Sequence, residues 1–565
     1  MVLNTLLVTT LTLFNLYIPI VMYIIFAVET FLLMYLFRSV LLSSVAQWFT
    51  TLLHSLYRMF SQLTEWIRAL SEQNPWFSTG YLLFSAITLY FSIDSILWLF
   101  KVAIDNVGDI FNLGDAVVSW NPWAIYWFNN RIPPANYYPQ LIPTNWSVTY
   151  VFIRTTDVQM FAASIMPFFA SFSLLIFYLL AWRGKNIGFL VGLVAARFMM
   201  KKFIGGVLAD GYVEPVILFF GLLSVSSLLL ARWAEDDRQS SRYATWGLIS
   251  AIACALTKQA GLYIVAVYPV LYYFMLDTDS ITDLGKGSWR RAFRHWIIAM
   301  ALILANYAIA QIMIWAGLNV SNIAHVTQEV HAGRTYFQRF GRSVRILEKY
   351  NILYIMSILG LPLIKEEYKR LLFGIVLPYS LIWAFFFSYD ARNLALAIPI
   401  VALTAGIAVN DILLWFIRRI TGVHRIRVPF YLMLMLLIIG MIGLNFFWQE
   451  DELIAHQYQL QRQLFFPALN DAIYSLLEEE DQSVRILSSY RIDLLPGLED
   501  HALLDHLDDY DQFKQKLTEG DVGYILFGVA TSSDISDFIW DQVNDGTYDM
   551  RFEFGTWKMV EILEE

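Results

Sequence analysis

Ionisable side chains interrupt the apolar stretches of this chain at only a few places, and an ion at membrane depth is costly enough to be a functional candidate by default. Asp115 lies in GDAVVSWNPWA, Asp210 and Glu214 in LADGYVEP, Lys258 in LTKQAGLY and Arg392 in SYDARNLALAIP. Arg197, Lys201 and Lys202 lie in ARFMMKKF, with Arg197 and Lys201 four apart and so on one face of a helix. Carboxylates and cations gathered at one depth could hold a lipid phosphate with the cations and activate a hydroxyl with a carboxylate. On that chemistry Asp115 is the expected catalytic base, or the holder of an ion that replaces one; Asp109, six residues earlier, is the rival carboxylate. Lys258, Arg392, Arg197 and Lys201 are the expected phosphate ligands, and Asp210 and Glu214 are candidates for contact with substrate or a metal.

Each group also has a plainer reading. Asp115 could cap its loop, and Asp210 and Glu214 could be helix-end carboxylates near N-termini. Lys258 and Arg392 could snorkel to the interface, and Arg197, Lys201 and Lys202 could snorkel or make structural pairs. Asp94 reads as a buried hydrogen-bonding partner. His325 and His331 stand six apart, a poor metal spacing on helix or strand, and read as loop residues.

The elements that must position these residues are membrane helices. Of 565 residues, 58% are hydrophobic and 15% charged, whereas a soluble domain is roughly 45–50% apolar and 25% charged; the mean hydropathy is +0.52. The expected fold class is a polytopic α-helical membrane protein of about 12 spans (roughly 10–13), each needing about 20 apolar residues. The spans are expected near 6–37, 79–101, 158–182, 187–208, 212–233, 244–258, 260–276, 296–318, 350–364, 371–389, 392–417 and 428–448. The start of the chain has no basic n-region and reads as a retained span rather than a cleaved signal. Lys and Arg gather in alternate connections, which makes that side cytoplasmic and puts 102–157, the turns near 209 and 259, 319–349, 389–392 and everything after 448 outside. Residues 40–72 read as an interfacial helix. Three regions follow: 1–78, a first span with that helix; 79–448, the transmembrane domain with its first outer loop 102–157; and 449–565, where composition turns acidic and runs such as VRILSSY and VGYILFGV alternate with helical stretches such as ALLDHLDDYDQFKQKL. The last region is expected to be a small α/β extramembrane domain on the outer face. A net charge of −9 argues against a nucleic-acid partner, because phosphate binding needs clustered basic surface. The single cysteine, Cys254, excludes an intrachain disulfide.

Taken in order along the chain, these motifs resemble the GT-C superfamily of polyprenol-dependent glycosyltransferases, nearest in layout to the protein O-mannosyltransferase and aminoarabinose-transferase branch. The resemblance covers roughly 79–448. GDAVVSWNPWA places Asp115 where that family carries an acidic residue in the first outer loop, and YYPQLIPTNW is similar to the YPPL-like stretch that follows. LADGYVEP resembles the second acidic motif, LTKQAGL a TK-x-x-GL motif whose lysine faces the carrier phosphate, and YDARNLALAIPIVAL an R-Y-x-x-x-x-x-P-like motif. The mannosyltransferases have a paired Asp-Glu in the first loop, whereas Asp115 is followed by Ala116. The resemblance implies an inner-membrane, cell-envelope enzyme that transfers a sugar with inversion from a polyprenyl-phosphate carrier to an acceptor hydroxyl of a glycan, lipid or protein, on the extracytoplasmic side. Whether a divalent metal takes part stays open. The sequence shows no glycine-rich phosphate loop and no soluble cytoplasmic domain for a sugar nucleotide, which fits a lipid-borne donor. Two other classes stand beside this one: a polysaccharide polymerase or ligase, which would use Arg334, Arg339, Arg342 and Arg345, and a flippase or transporter, which would spread charges across the bilayer.

Overall fold

The computed structural model describes residues 1–36, 75–105, 110–111, 114–133, 138–276, 293–301, 334–388, 390–421 and much of 468–563. Two compact units are present, Met1–Phe446 and Phe447–Glu565. The expected interfacial helix at 40–72, the span at 428–448, most of the span at 296–318, and Asp109, His325 and His331 lie outside the described residues.

The first unit is helical: α1 Val2–Leu13, α2 Pro19–Leu36, α3 Pro75–Asp105, a π-turn Ala116–Trp120 leading into α4 Asn121–Phe128, α5 Leu141–Ile153, α6 Met166–Gly184 and α7 Gly188–Ile204. It continues with α8 Glu214–Arg232, α9 Asp237–Thr257, α10 Leu262–Leu276, α11 Tyr336–Leu347, α12 Asn351–Leu359, α13 Glu366–Phe387 and α14 Ile398–Thr421. Among the described residues, five stretches are long and apolar enough to cross a membrane: Leu83–Asp105, Met160–Gly184, Glu214–Arg232, Glu366–Phe387 and Ile398–Phe416. The protein is thus a helical membrane protein. The single span expected at 6–37 is two helices instead, because Asn15 adopts a left-handed φ of 57° and Pro19, which fits a first helical turn, opens α2.

Small residues let the central helices approach closely. Gly188 and Gly192, one turn apart on α7, face α14, where a Cβ on Gly406 would lie 2.2 Å from the Gly192 nitrogen. This is the small-xxx-small contact that membrane helices use when no hydrophobic effect drives them together. On the other flank α1 crosses α5 through a hydroxyl pair, Thr5 with Thr144 at 2.9 Å, and Tyr17 meets Ser147 at 2.9 Å. Inside lipid such polar groups must find partners within the protein. The segment between α3 and α6 builds its own buried core from Phe111, Trp120, Trp146, Tyr150 and Met166, joined by Tyr212 from the α7–α8 turn. Phe111 and Trp146 stack at 4.3 Å.

The second unit contains a five-stranded sheet of order β2-β1-β3-β5-β4, with β1 Arg485–Ser488, β2 Ala502–Leu504, β3 Val522–Phe527, β4 Tyr548–Phe554 and β5 Trp557–Ile562. β1 pairs parallel with β2 and β3, and β5 pairs antiparallel with β3 and β4. Alternation along β3 sends Ile525 and Phe527 to one buried cluster, with α15 Tyr510–Glu519 and α16 Ser533–Asp545, and Tyr524 and Leu526 to the other, with the helical stretch 468–477. The stretch ALLDHLDDYDQFKQKL, read above as one helix, divides: Ala502–Leu504 pairs with β1, and the helix begins at Tyr510. The Asp509 carboxylate sets that start by accepting from the backbone N–H groups of Asp511 and Gln512, both at 3.0 Å.

Candidate functional site

Four separate segments of the first unit deliver charged side chains to one place. α8 begins at Glu214 with Pro215 next, a pre-set first turn. Antiparallel packing of α8 and α9 then brings the end of α9 beside Glu214. There α9 stops at Thr257, Lys258 is extended (φ −155°, ψ 153°), and a 3-10 turn Gln259–Gly261 starts the next helix. Gly261 is required at this point, since a Cβ would lie 2.1 Å from the Cys254 carbonyl oxygen. The Lys258 ammonium donates to Glu214 Oε1 at 2.8 Å and to Asn393 Oδ1 at 3.1 Å.

Asn393 belongs to a 3-10 turn, Ala391–Leu394, ahead of α14. Asp390 caps this turn by accepting from the Arg392 backbone N–H at 2.9 Å, and also receives the guanidinium, Nε at 2.9 Å and Nη2 at 2.6 Å. The fork is thus locked on one side, and Nη1 points to Asp115 Oδ2 at 3.6 Å. The Arg392 guanidinium also stands over the Tyr212 ring, 4.8 Å from its centroid. Tyr212 in turn accepts the Asp115 backbone N–H on its hydroxyl at 3.2 Å. Behind these contacts, Tyr379 donates to the Asn393 carbonyl at 2.7 Å and Trp383 to the Asp390 carbonyl at 3.1 Å.

The three carboxylates differ in access and in electrostatics. The Glu214 side chain is 3% exposed, that of Asp390 25% and that of Asp115 54%, so Asp115 is the most accessible of the three. Partial burial raises the Asp115 carboxyl above its ordinary range; Arg392 opposes this, and Glu214 and Asp390 add to it. Burial acts upward on Asp390 as well, but its hydrogen bonds from Arg392 outweigh it and hold this carboxyl low. Arg392 goes up: burial alone would lower it, and the surrounding carboxylates more than compensate. The cluster therefore holds one carboxylate kept low by Arg392 and another with raised proton affinity.

Of the residues expected from sequence, Asp115, Glu214, Lys258 and Arg392 come together. Asp210 occupies the turn before Glu214, and Glu214 is the carboxylate that takes Lys258. Arg197 is paired elsewhere, donating to Asp94 at 2.5 Å and lying 5.3 Å from the Trp98 ring. Lys201 sits on the same helix, and Lys202 pairs with Glu348 at 3.3 Å. Arg339 donates to the Phe385 carbonyl at 3.3 Å. Among the described residues no group of three or more His, Cys, Asp or Glu side chains is placed to hold a metal ion. Tyr212 and Asn393 were not singled out by sequence reasoning; the available signal was adjacency, Tyr212 between Asp210 and Glu214, and Asn393 beside Arg392. Neither protein-family models nor curated protein sequences match this chain, and the chemistry of the cluster rests on its own geometry.

Proposed function

We propose that the protein is an integral-membrane glycosyltransferase that moves a sugar from a polyprenyl-phosphate carrier to an acceptor hydroxyl, in an inner membrane of about 12 spans, with 449–565 as an extracytoplasmic α/β domain. The observation that carries this reading is the convergence of Asp115, reachable and of raised proton affinity, on Arg392 and Lys258, two cations held in place from behind by Asp390, Glu214 and Asn393.

In the reaction, Asp115 takes the proton of the acceptor hydroxyl as its oxygen bonds to the anomeric carbon. The bond from that carbon to the phosphate oxygen breaks on the opposite face, which inverts the centre, and the electron pair leaves with polyprenyl phosphate. Arg392 and Lys258 stabilise the charge that develops on the departing phosphate. Three carboxylates share two cations, so a phosphate that approaches Arg392 replaces Asp115 at Nη1. That exchange frees the Asp115 carboxylate for the acceptor.

Purified protein in vesicles, given polyprenyl phosphate carrying a labelled sugar and a mixture of acceptor glycans and lipids, tests this. Loss of label from the carrier with release of polyprenyl phosphate is expected. Movement of intact carrier across the bilayer, with the sugar retained, would replace transfer by flipping.

A further inference from the structure

We propose that α11 is a membrane-surface helix that lies in the headgroup layer and binds anionic lipid headgroups through Arg342 and Arg345. This proposal does not rest on the transfer reading.

α11 is a defined helix with a capping box: the Gln338 N–H donates to Thr335 Oγ1 at 3.3 Å, and the Thr335 N–H to Gln338 Oε1 at 2.8 Å. It has three faces. Ser343 and Leu347 are buried against the protein. Phe337, Phe340 and Val344, spaced i, i+3 and i+7, form an exposed apolar strip, with Phe337 at 90% exposure. Gln338, Arg342 and Arg345, spaced i, i+4 and i+7, form the other flank. Between Thr335 and Leu347 there are three arginines and no acid. An apolar face with aromatics and a basic polar face is the pattern of a helix lying in a lipid interface.

Two observations say that lipid covers the apolar strip. The strip is continuous with the outward surface of α13: Tyr336 contacts the rings of Phe385 and Phe386, Phe340 stacks on Phe385, and Phe386, Phe387, Leu381 and Phe373 are exposed on a stretch apolar enough to cross a membrane. α11 also ends where a second apolar surface begins. Glu348, at φ 47°, breaks the helix beside Lys349, and the next helix exposes Ile352, Ile355, Ile358 and Leu359. Glu348 and Lys202 pair at this level, which marks it as polar. The arginines of α11 therefore lie within a turn or two of the boundary where lipid phosphates sit. Guanidinium groups match phosphate in charge and fork geometry.

The test uses the full-length protein in phosphatidylcholine vesicles with or without phosphatidylglycerol, carrying a nitroxide at one introduced cysteine: Phe337→Cys, Val344→Cys or Gln338→Cys. Cys254 is buried and does not compete for label. Labels at 337 and 344 are expected to relax with oxygen, as in acyl chains, and the label at 338 with an aqueous nickel chelate. Phosphatidylglycerol is expected to immobilise the 338 label. The Arg342→Gln/Arg345→Gln pair is expected to weaken that response by the order of tenfold while keeping the depth pattern. Labels at 337 and 344 as water-accessible as 338 would overturn the placement. A phosphatidylglycerol response untouched by the double substitution would overturn the headgroup site, as would the same immobilisation by inorganic phosphate alone.

Discussion

Arg197 and Asp94 meet one cation to one carboxylate at 2.5 Å, with only 6% of the arginine side chain exposed. In the cluster around Asp115, three carboxylates share two cations, and one carboxylate is more than half exposed at 3.6 Å from its partner. Both use the same residue types within one helical unit, yet in the first a buried arginine meets its carboxylate at short range and in the second the exposed carboxylate stands farther from its cation. A short pair of one cation and one carboxylate links α3 to α7. An excess of one sign at long range describes a site where a ligand can displace a partner. Charge at membrane depth is thus a weak functional signal by itself, and the balance of charges inside the contact is the stronger one.

Substitutions that separate chemistry from structure sharpen this contrast. Asp115→Asn keeps the shape but removes the base, and transfer is expected to fall by about 10²–10⁴-fold with donor binding retained; near-normal turnover in a radiolabel transfer assay would move the base elsewhere. Lys258→Ala is expected to weaken donor affinity by about 10- to 100-fold, the value of a hydrogen bond to a charged group, roughly 1.5–3 kcal/mol. It also leaves Glu214 buried without its cation. Lys258→Ala/Glu214→Gln is therefore expected to restore the melting temperature but not the affinity, and recovery of both would show that Lys258 is structural. Asp94→Asn should do the reverse. It is expected to lower stability by about 2 kcal/mol, less than the roughly 3–5 of a fully buried pair because the Asp94 carboxylate is half exposed. Turnover per folded molecule is expected to stay unchanged, and a selective loss of turnover would place Arg197 in the chemistry after all.

The pH profile draws the same line. A base must be ionised, so turnover is expected to fall as pH drops through the raised value of Asp115, at higher pH than an ordinary aspartate would give. Asp390→Asn removes a neighbouring negative charge and releases Arg392 toward Asp115, and both effects shift the acid limb to lower pH. Arg392→Gln removes the cation that favours the ionised form and shifts the limb upward. Limbs that stay in place in both variants would mean that the titrating group is not Asp115.

The order of charged motifs along the chain was legible in sequence because ions in apolar runs stand out, and the helices that begin or end at Glu214 and Lys258 carry local signals, a following proline and a break before Gly261. Which partners they meet is not a local property. Asp94 lies 103 residues from Arg197, and nothing in ARFMMKKF announces that partner. The split of the first span followed from a left-handed Asn15, a conformation that an apolar average hides. The strand Ala502–Leu504 is three residues that fit a helix equally well until β1 supplies a partner. Asn393 reads as a neutral neighbour of Arg392, and only the fold places it on Lys258.

The smallest effect concerns how Asp115 is aimed. Gly114 has a φ of +33°, and a Cβ there would stand 2.2 Å from the Tyr212 hydroxyl oxygen and 3.4 Å from the ring carbon that bears it. The glycine therefore makes room for the oxygen that accepts the Asp115 N–H at 3.2 Å. Tyr212→Phe removes that acceptor and keeps the ring under Arg392, so a loss of about 0.5–1.5 kcal/mol, roughly two- to tenfold in turnover, is expected. Gly114→Ala should cost more, because the methyl collides with the hydroxyl and a left-handed residue is strained as well. Combining the two removes the oxygen that the methyl strikes, and the remaining contact at 3.4 Å is an ordinary one. The double variant is thus expected to be more active than Gly114→Ala alone, though below Tyr212→Phe because the backbone strain remains. Simple addition of the two losses, measured as turnover at saturating donor, would mean that the Gly114 methyl disturbs Asp115 by a route that does not pass through Tyr212.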